Sequence, residues 1–361
     1  MRKTLFYPYL AVYAVTLICL AWSTPISPHE AKLLYAQDGG IAALLMHSGH
    51  NLLGGLIGLR LFSLVTGLIS IVLYYRMTEL YLEREDDRRF ATAIFMLLPG
   101  IITAFVLANL SVLVIPAVLF FVIAHERRWL WVQAVLMLCL LALHEASIVF
   151  FGALFIYAVA KKEVPTGVLS GFFVFLAVMI EQGVEMGGRP AGHFVEMFGL
   201  YATLFSPVLF IYFFYTLYRI LLREDKDMLW YISFTALIAS LVLSLRQRVV
   251  LTDFAPYVMP GVVLALSLFV RTLRVRLPQY QQPYKIGFWV AMVILISSSL
   301  AVVLHKPLFL LFDDPKDHFA YRLYEPYWLA QKLHKSHTEC YDAANHTMTL
   351  QLRFYGIDAC R

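Results

Sequence analysis

Charge is scarce in this chain. Of 361 residues, only 15% are Asp, Glu, Lys or Arg, and only four are cysteine. A soluble domain of this size needs a far more polar surface, which excludes an ordinary water-soluble enzyme. Period-two alternation is also missing from the apolar runs, which argues against a transmembrane β-barrel. The net charge of +5 is modest, and the basic residues are spread over short loops, so nucleic-acid binding has no electrostatic footprint. The segment GGRPAGH (187–193) lacks the strand and helix that flank a phosphate-binding loop.

Apolar residues fill the space that charge leaves. They make up 60% of the chain, with 27 Phe and 21 Tyr. Runs long enough to cross a hydrocarbon layer of ~30 Å as a helix recur along the sequence. Eleven candidate spans fall near 5–23, 56–75, 90–107, 109–124, 129–143, 146–160, 165–182, 198–220, 228–245, 254–270 and 286–304. The expected fold is therefore an all-α polytopic membrane protein of about eleven transmembrane helices. The first run follows MRK but exceeds a signal-peptide core in length, and reads as a retained helix.

Basic residues orient the spans. With the N-terminus inside, Arg76, Arg84, Arg88, Arg89, Arg127, Arg128, Lys161, Lys162, Arg219, Arg223, Lys226, Arg271, Arg274, Arg276 and Lys285 all fall in cytoplasmic loops. The opposite side holds chiefly Lys32, Arg189, Arg246 and Arg248, as the positive-inside rule requires. This topology puts the C-terminus outside. It also puts His29, Glu30, Asp38, His47, His50, His144, Glu145, Glu181, Glu185, His193 and Glu196 on the outer face.

Two parts follow from this pattern: a membrane domain, 1–304, with a long first outer loop at 24–55, and a small extracytoplasmic tail, 305–361. The tail reads as a helix over 323–335 and a strand over 348–355, an α/β cap or lid. An oxidising compartment permits a Cys340–Cys360 disulfide there, while Cys19 and Cys139 read as packing residues within apolar runs. Asn109-Leu-Ser and Asn345-His-Thr match a glycosylation acceptor pattern and receive no function.

The chemistry-bearing residues gather in SPHEAKLLYAQDGG (27–40). Glu30, just outside a span, lies at a lipid–water boundary where it can act as a general base, and His29 beside it can share or take over that role. The alternative is a solvated pair capping a helix. Arg60 lies several residues inside an apolar run, where a guanidinium must snorkel or meet an anion. Arg60, Arg246 and Arg248 are the candidate ligands of a phosphate or pyrophosphate, since guanidinium forks bind oxyanions bidentately. His144 and Glu145 in LHEAS form a second His-Glu pair and, with Asp38, are secondary candidates. His47 and His50, three apart on a helix, are weak metal candidates; a divalent cation fits the chemistry without being required.

PHEAKLLY, the Arg60-bearing run LRLFSLVTGLISIVLYYRM, the paired spans FATAIFMLLPGIITAFVLANLSVLVIPAVLFFVIA and the late RQRVVLTDFAPYVMPGVVLAL resemble the GT-C glycosyltransferases. The branch is that of the protein O-mannosyltransferases and the lipid A aminoarabinose transferases. The resemblance implies a transferase at the outer face of the membrane, using a polyprenyl-phosphate-linked sugar donor and a glycan, lipid or protein acceptor. Glu30 and His29 would be catalytic, and Arg60, Arg246 and Arg248 would hold the donor phosphate. The chain departs from the family at two places: His29 stands where an Asp is usual, and Asn109 stands where many members have an Asp. A non-catalytic GT-C relative, or a transporter or flippase for polyprenyl-linked glycans, is the competing reading. Apart from the repeated HEA triplet, no paired halves support a transporter.

Overall fold

The computed structural model describes residues 6–35, 40–144, 146–180, 192–338, 340–343 and 345–360. Every regular element among them is a helix, and the one β-type contact is an isolated bridge between Cys340 and Asp358. Helices overlie all eleven apolar stretches. Three of them, Gly55–Thr78, Leu251–Val275 and Pro278–Val303, are long and apolar enough to cross a membrane. Three sharply bent helix pairs raise that number to six. Five more apolar helices are shorter, such as Leu130–Leu143 with 14 residues, or ~21 Å at 1.5 Å per residue.

The chain divides into two compact units. The first comprises 1–68, 103–109 and 300–361. Its N-terminal part runs through α1 (Phe6–Ser23), α2 (Pro28–Leu34), α3 (Ile41–Leu53) and the start of α4 (Gly55–Thr78). The chain bends by 80° between α1 and α2. Gly54 and Gly55, at φ +66° and +58°, turn it between α3 and α4 in a backbone region that side chains rarely adopt. α3 and α4 then pack backbone to backbone: a Cβ on Gly58 would meet the Gly49 carbonyl oxygen at 2.7 Å.

The tail of this unit departs from the sequence reading. A helix occupies Tyr321–Lys335 as expected, but the segment read as a strand is a second helix, His346–Phe354. Asn345 caps it by accepting a hydrogen bond from the Thr347 N–H at 3.0 Å. Its apolar residues alternate because the helix is wedged between two partners. Leu350 and Phe354 pack against Ile26, Ala31 and Leu34, while Met348 and Leu352 face Ala330 and Leu333. Among the described residues the regular elements of the tail are helices, and the Cys340–Cys360 disulfide joins its last segments.

The second unit comprises 69–102 and 110–299. Its centre is the helix Ser111–Glu126, which buries residues on every face, as an all-round apolar helix must. Phe150 lies edge-on to Phe121 and stacks on Tyr257 at 5.7 Å. Around this core, large apolar side chains point outward: Trp131 is 88% exposed and Val168 69%. Such faces suit hydrocarbon rather than water. Cys139, and Cys19 in the first unit, also lie exposed on helix faces instead of packing inside.

Candidate functional site

The elbow between α1 and α2 is built around two prolines. The helical bonds of α1 end where the Thr24 N–H donates to the Leu20 carbonyl. The next donor in register would be residue 25, but Pro25 has no N–H, which orphans the Ala21 carbonyl. Arg60, reaching in from α4, supplies the missing donor. Its Nη1 donates to Ala21 O at 2.7 Å and Thr24 O at 2.8 Å, and its Nη2 donates to Pro25 O at 2.8 Å.

The remaining guanidinium N–H groups meet Glu30. Nε donates to Oε1 and Nη2 to Oε2, both at 2.7 Å, and both side chains are fully buried. Glu30 also accepts the Ser27 N–H on Oε2 and the Ala108 N–H on Oε1, each at 2.8 Å. The Ser27 hydroxyl accepts the Glu30 N–H in return, which completes a capping box at the start of α2. All five guanidinium N–H groups and both lone pairs of each carboxylate oxygen are therefore taken.

The linker backbone is equally complete. The Ile26 N–H donates to the Tyr355 hydroxyl at 3.2 Å, and the Ile26 carbonyl accepts from Gln351 Nε2 at 2.9 Å. Two tail residues thus satisfy what the elbow cannot satisfy itself. Arg353 lies over the Tyr35 ring at 4.8 Å, a further tie between the tail and α2.

In the structure Glu30 and Arg60, read from the sequence as base and phosphate ligand, form a saturated, buried ion pair. The capping alternative describes Glu30 correctly in position, but the carboxylate is buried rather than solvated. His29, by contrast, is exposed on the first turn of α2, directly beside the locked Glu30. His29 adjoins this carboxylate in sequence, and Asn109 follows Ala108, whose N–H is held by Glu30. His47 and His50 point elsewhere: His47 Nε2 meets the Leu34 carbonyl at 3.1 Å, and His50 Nδ1 the Gly55 carbonyl at 3.3 Å. Each links helix ends, and their spacing on α3 brings no third ligand among the described residues. Asp38 and Glu145 lie outside the described residues.

In the second unit, Arg248 is 77% exposed and forks onto Glu196 Oε1, with Nη2 at 2.5 Å and Nε at 3.2 Å. His193 Nδ1 meets the other oxygen of Glu196 at 3.1 Å. These residues border a cavity of about 280 Å³ with Met197, Leu200 and Ser244. Arg246 is exposed and has no ion-pair partner among the described residues. His144 Nδ1 accepts the Ala146 N–H, which places its proton on Nε2, 3.6 Å from Asp253 Oδ1. Sequence reasoning missed Asp253 as the His144 partner because more than a hundred residues separate them.

The fold these elements define is shared with solved structures of ArnT, and its long apolar helices are those of an integral membrane protein. It is similar to the crystal structure of ArnT from Cupriavidus metallidurans bound to undecaprenyl phosphate, with a TM-score of 0.60 and 13% identity over 98% of this chain and 75% of that one. It is also similar to the apo structure of the same ArnT, a lipid A aminoarabinose transferase, with a TM-score of 0.55 and 13% identity over 97% of this chain and 84% of that one. No family model matches the sequence, and no curated protein matches it either.

Proposed function

We propose that this protein is a GT-C-type glycosyltransferase that moves a sugar from a polyprenyl-phosphate donor to an acceptor at the outer face of the membrane. The observation that carries the reading is an exposed His29 mounted on a saturated Glu30–Arg60 pair, in a fold shared with an ArnT that binds undecaprenyl phosphate. His29 takes the proton of the acceptor hydroxyl as its oxygen attacks the anomeric carbon. The bond from that carbon to the donor phosphate oxygen breaks, and the lipid phosphate departs with the electron pair. Glu30 and Arg60 act as positioning residues that fix the turn carrying His29. Arg246, and Arg248 when released from Glu196, are guanidinium groups suited to binding a phosphate. All eleven apolar helices or bent pairs serve as crossings, with the N-terminus cytoplasmic and the tail outside, in an inner (plasma) membrane.

A reconstituted assay with a polyprenyl-phosphate sugar tests this reading. His29→Ala is expected to lower turnover by about 10²–10⁴-fold, the usual contribution of a general base, without loss of folding. Turnover unchanged in that variant removes the assignment. One observation favours a second reading: Glu30 has no free lone pair, as expected of a non-catalytic relative. Wild-type protein that binds polyprenyl phosphate yet transfers nothing from any donor supports that reading instead.

A further inference from the structure

At one end of the second unit, the end that carries the arginine- and lysine-rich loops, several helix termini surround a cavity of about 480 Å³. Tyr81 and Tyr157 line it together with Leu80, Val122 and Met228. Both tyrosines are held in place. The Tyr157 hydroxyl donates to Glu163 Oε1 at 3.1 Å, and Tyr81 is hydrogen-bonded to Asp227. Asp227 in turn caps the helix Met228–Ser244 by accepting the Trp230 N–H at 3.0 Å.

The rim carries charge of both signs. Lys161, Lys226 and Arg271 are its cations, and Glu126, Asp225 and Asp227 its carboxylates. Among the described residues, Lys161, Arg271, Glu126 and Asp225 have no side-chain hydrogen bond or ion pair. Lys226 rests 5.9 Å from the Trp230 ring. Asp225, Lys226 and Asp227 share one loop, while Glu126, Lys161 and Arg271 stand near the ends of three different helices. A polyphosphate entering here would meet three carboxylates, and a polyamine would meet three cations. A ligand that carries one anionic and one ammonium group answers both sets of charge, and Tyr81 and Tyr157 line the same cavity.

We propose that this cavity binds a phosphoethanolamine group, with its phosphate against Lys161, Lys226 and Arg271 and its ammonium against Glu126 and Asp225. The site does not depend on the transferase reading. Ammonium hydrogen bonds to carboxylates are charge-assisted, so blocking them with methyl groups should be costly.

The test titrates delipidated protein in detergent with short-chain phosphatidylethanolamine, phosphatidylcholine, phosphatidylglycerol and free phosphoethanolamine, reading Trp230 fluorescence and native mass spectra. Phosphatidylethanolamine is expected to bind about tenfold more tightly than phosphatidylcholine, a difference of ~1.4 kcal/mol. Glu126→Gln with Asp225→Asn should erase that preference, and Lys161→Gln with Arg271→Gln should weaken both lipids. Asp225→Asn alone, an exposed loop change, gives the same reading in smaller measure if the double variant fails to fold. Binding of free phosphoethanolamine at similar concentration identifies a soluble ligand, and binding of the lipid alone identifies a headgroup; either supports the site. Equal affinity for the ethanolamine and choline lipids, tighter binding of phosphatidylglycerol, or a preference that survives the carboxylate variants overturns it.

Discussion

Arg60 and Glu30 face each other through two hydrogen bonds of 2.7 Å, and neither side chain reaches solvent. The pair stands at the junction of four chain segments: the end of α1, the start of α2, the first turns of α4 and the turn at Ala108. Arg60→Lys keeps the charge but offers three donors where five are used. We expect this variant to lose about 3–5 kcal/mol of stability, the cost of breaking a buried pair. Thermal unfolding in detergent should show the loss, and Glu30→Gln should show a similar one. A Tm within a degree of wild type in either variant would contradict the structural role assigned to the pair.

The tail holds the elbow through the two hydrogen bonds to Ile26. Tyr355→Phe removes the acceptor for the Ile26 N–H and leaves that group buried without a partner, at a cost of about 1–3 kcal/mol. Hydrogen exchange provides a local readout. The Ile26 amide should exchange faster in Tyr355→Phe, and faster still with Gln351→Ala added, while amides in the helix Ser111–Glu126 stay at wild-type rates.

A dependence on pH is expected from the start of the tail. Burial lowers the pKa of His305 below its usual value of 6.5, against the opposing pull of the Val302 carbonyl. Burial also lowers His318. A histidine with a depressed folded pKa binds fewer protons folded than unfolded, so its contribution is intact above the unfolded value and declines as pH falls through the folded one. Tail stability should therefore drop on acidification below about 6.5, and His318→Phe should flatten that slope. Urea unfolding followed by Trp328 emission, close to Phe309 and Tyr324, measures it.

Much of the architecture was legible in the sequence because lipid leaves a simple signature. Among the described residues helices lie over the apolar runs, and three of them, or six with the bent pairs, are long and apolar enough to cross a membrane, where backbone groups must pair within each segment. The Cys340–Cys360 disulfide was anticipated because the other two cysteines, Cys19 and Cys139, lie within apolar runs. The tail strand was misread because MTLQLRFY alternates like a strand, yet its two apolar sets cover two faces of one helix. At the candidate site, Glu30 and Arg60 each stood out as unusual, but their saturation of each other did not. That depended on the prolines: Pro25 orphans the Ala21 carbonyl, and only the fold shows that a guanidinium 39 residues away fills the gap. Asp253 beside His144 was hidden for the same reason, being a tertiary neighbour without a local signal.

The elbow also sets a clock on biosynthesis. Ile26 must wait for Gln351 and Tyr355, which follow it by 325 and 329 residues. At typical synthesis rates that delay is roughly a quarter of a minute to a minute. Throughout it the first turn of α2 can form around Ser27, Glu30 and Arg60, yet the linker behind it still lacks two partners. The segment that presents His29 is thus made well before the two residues that complete it.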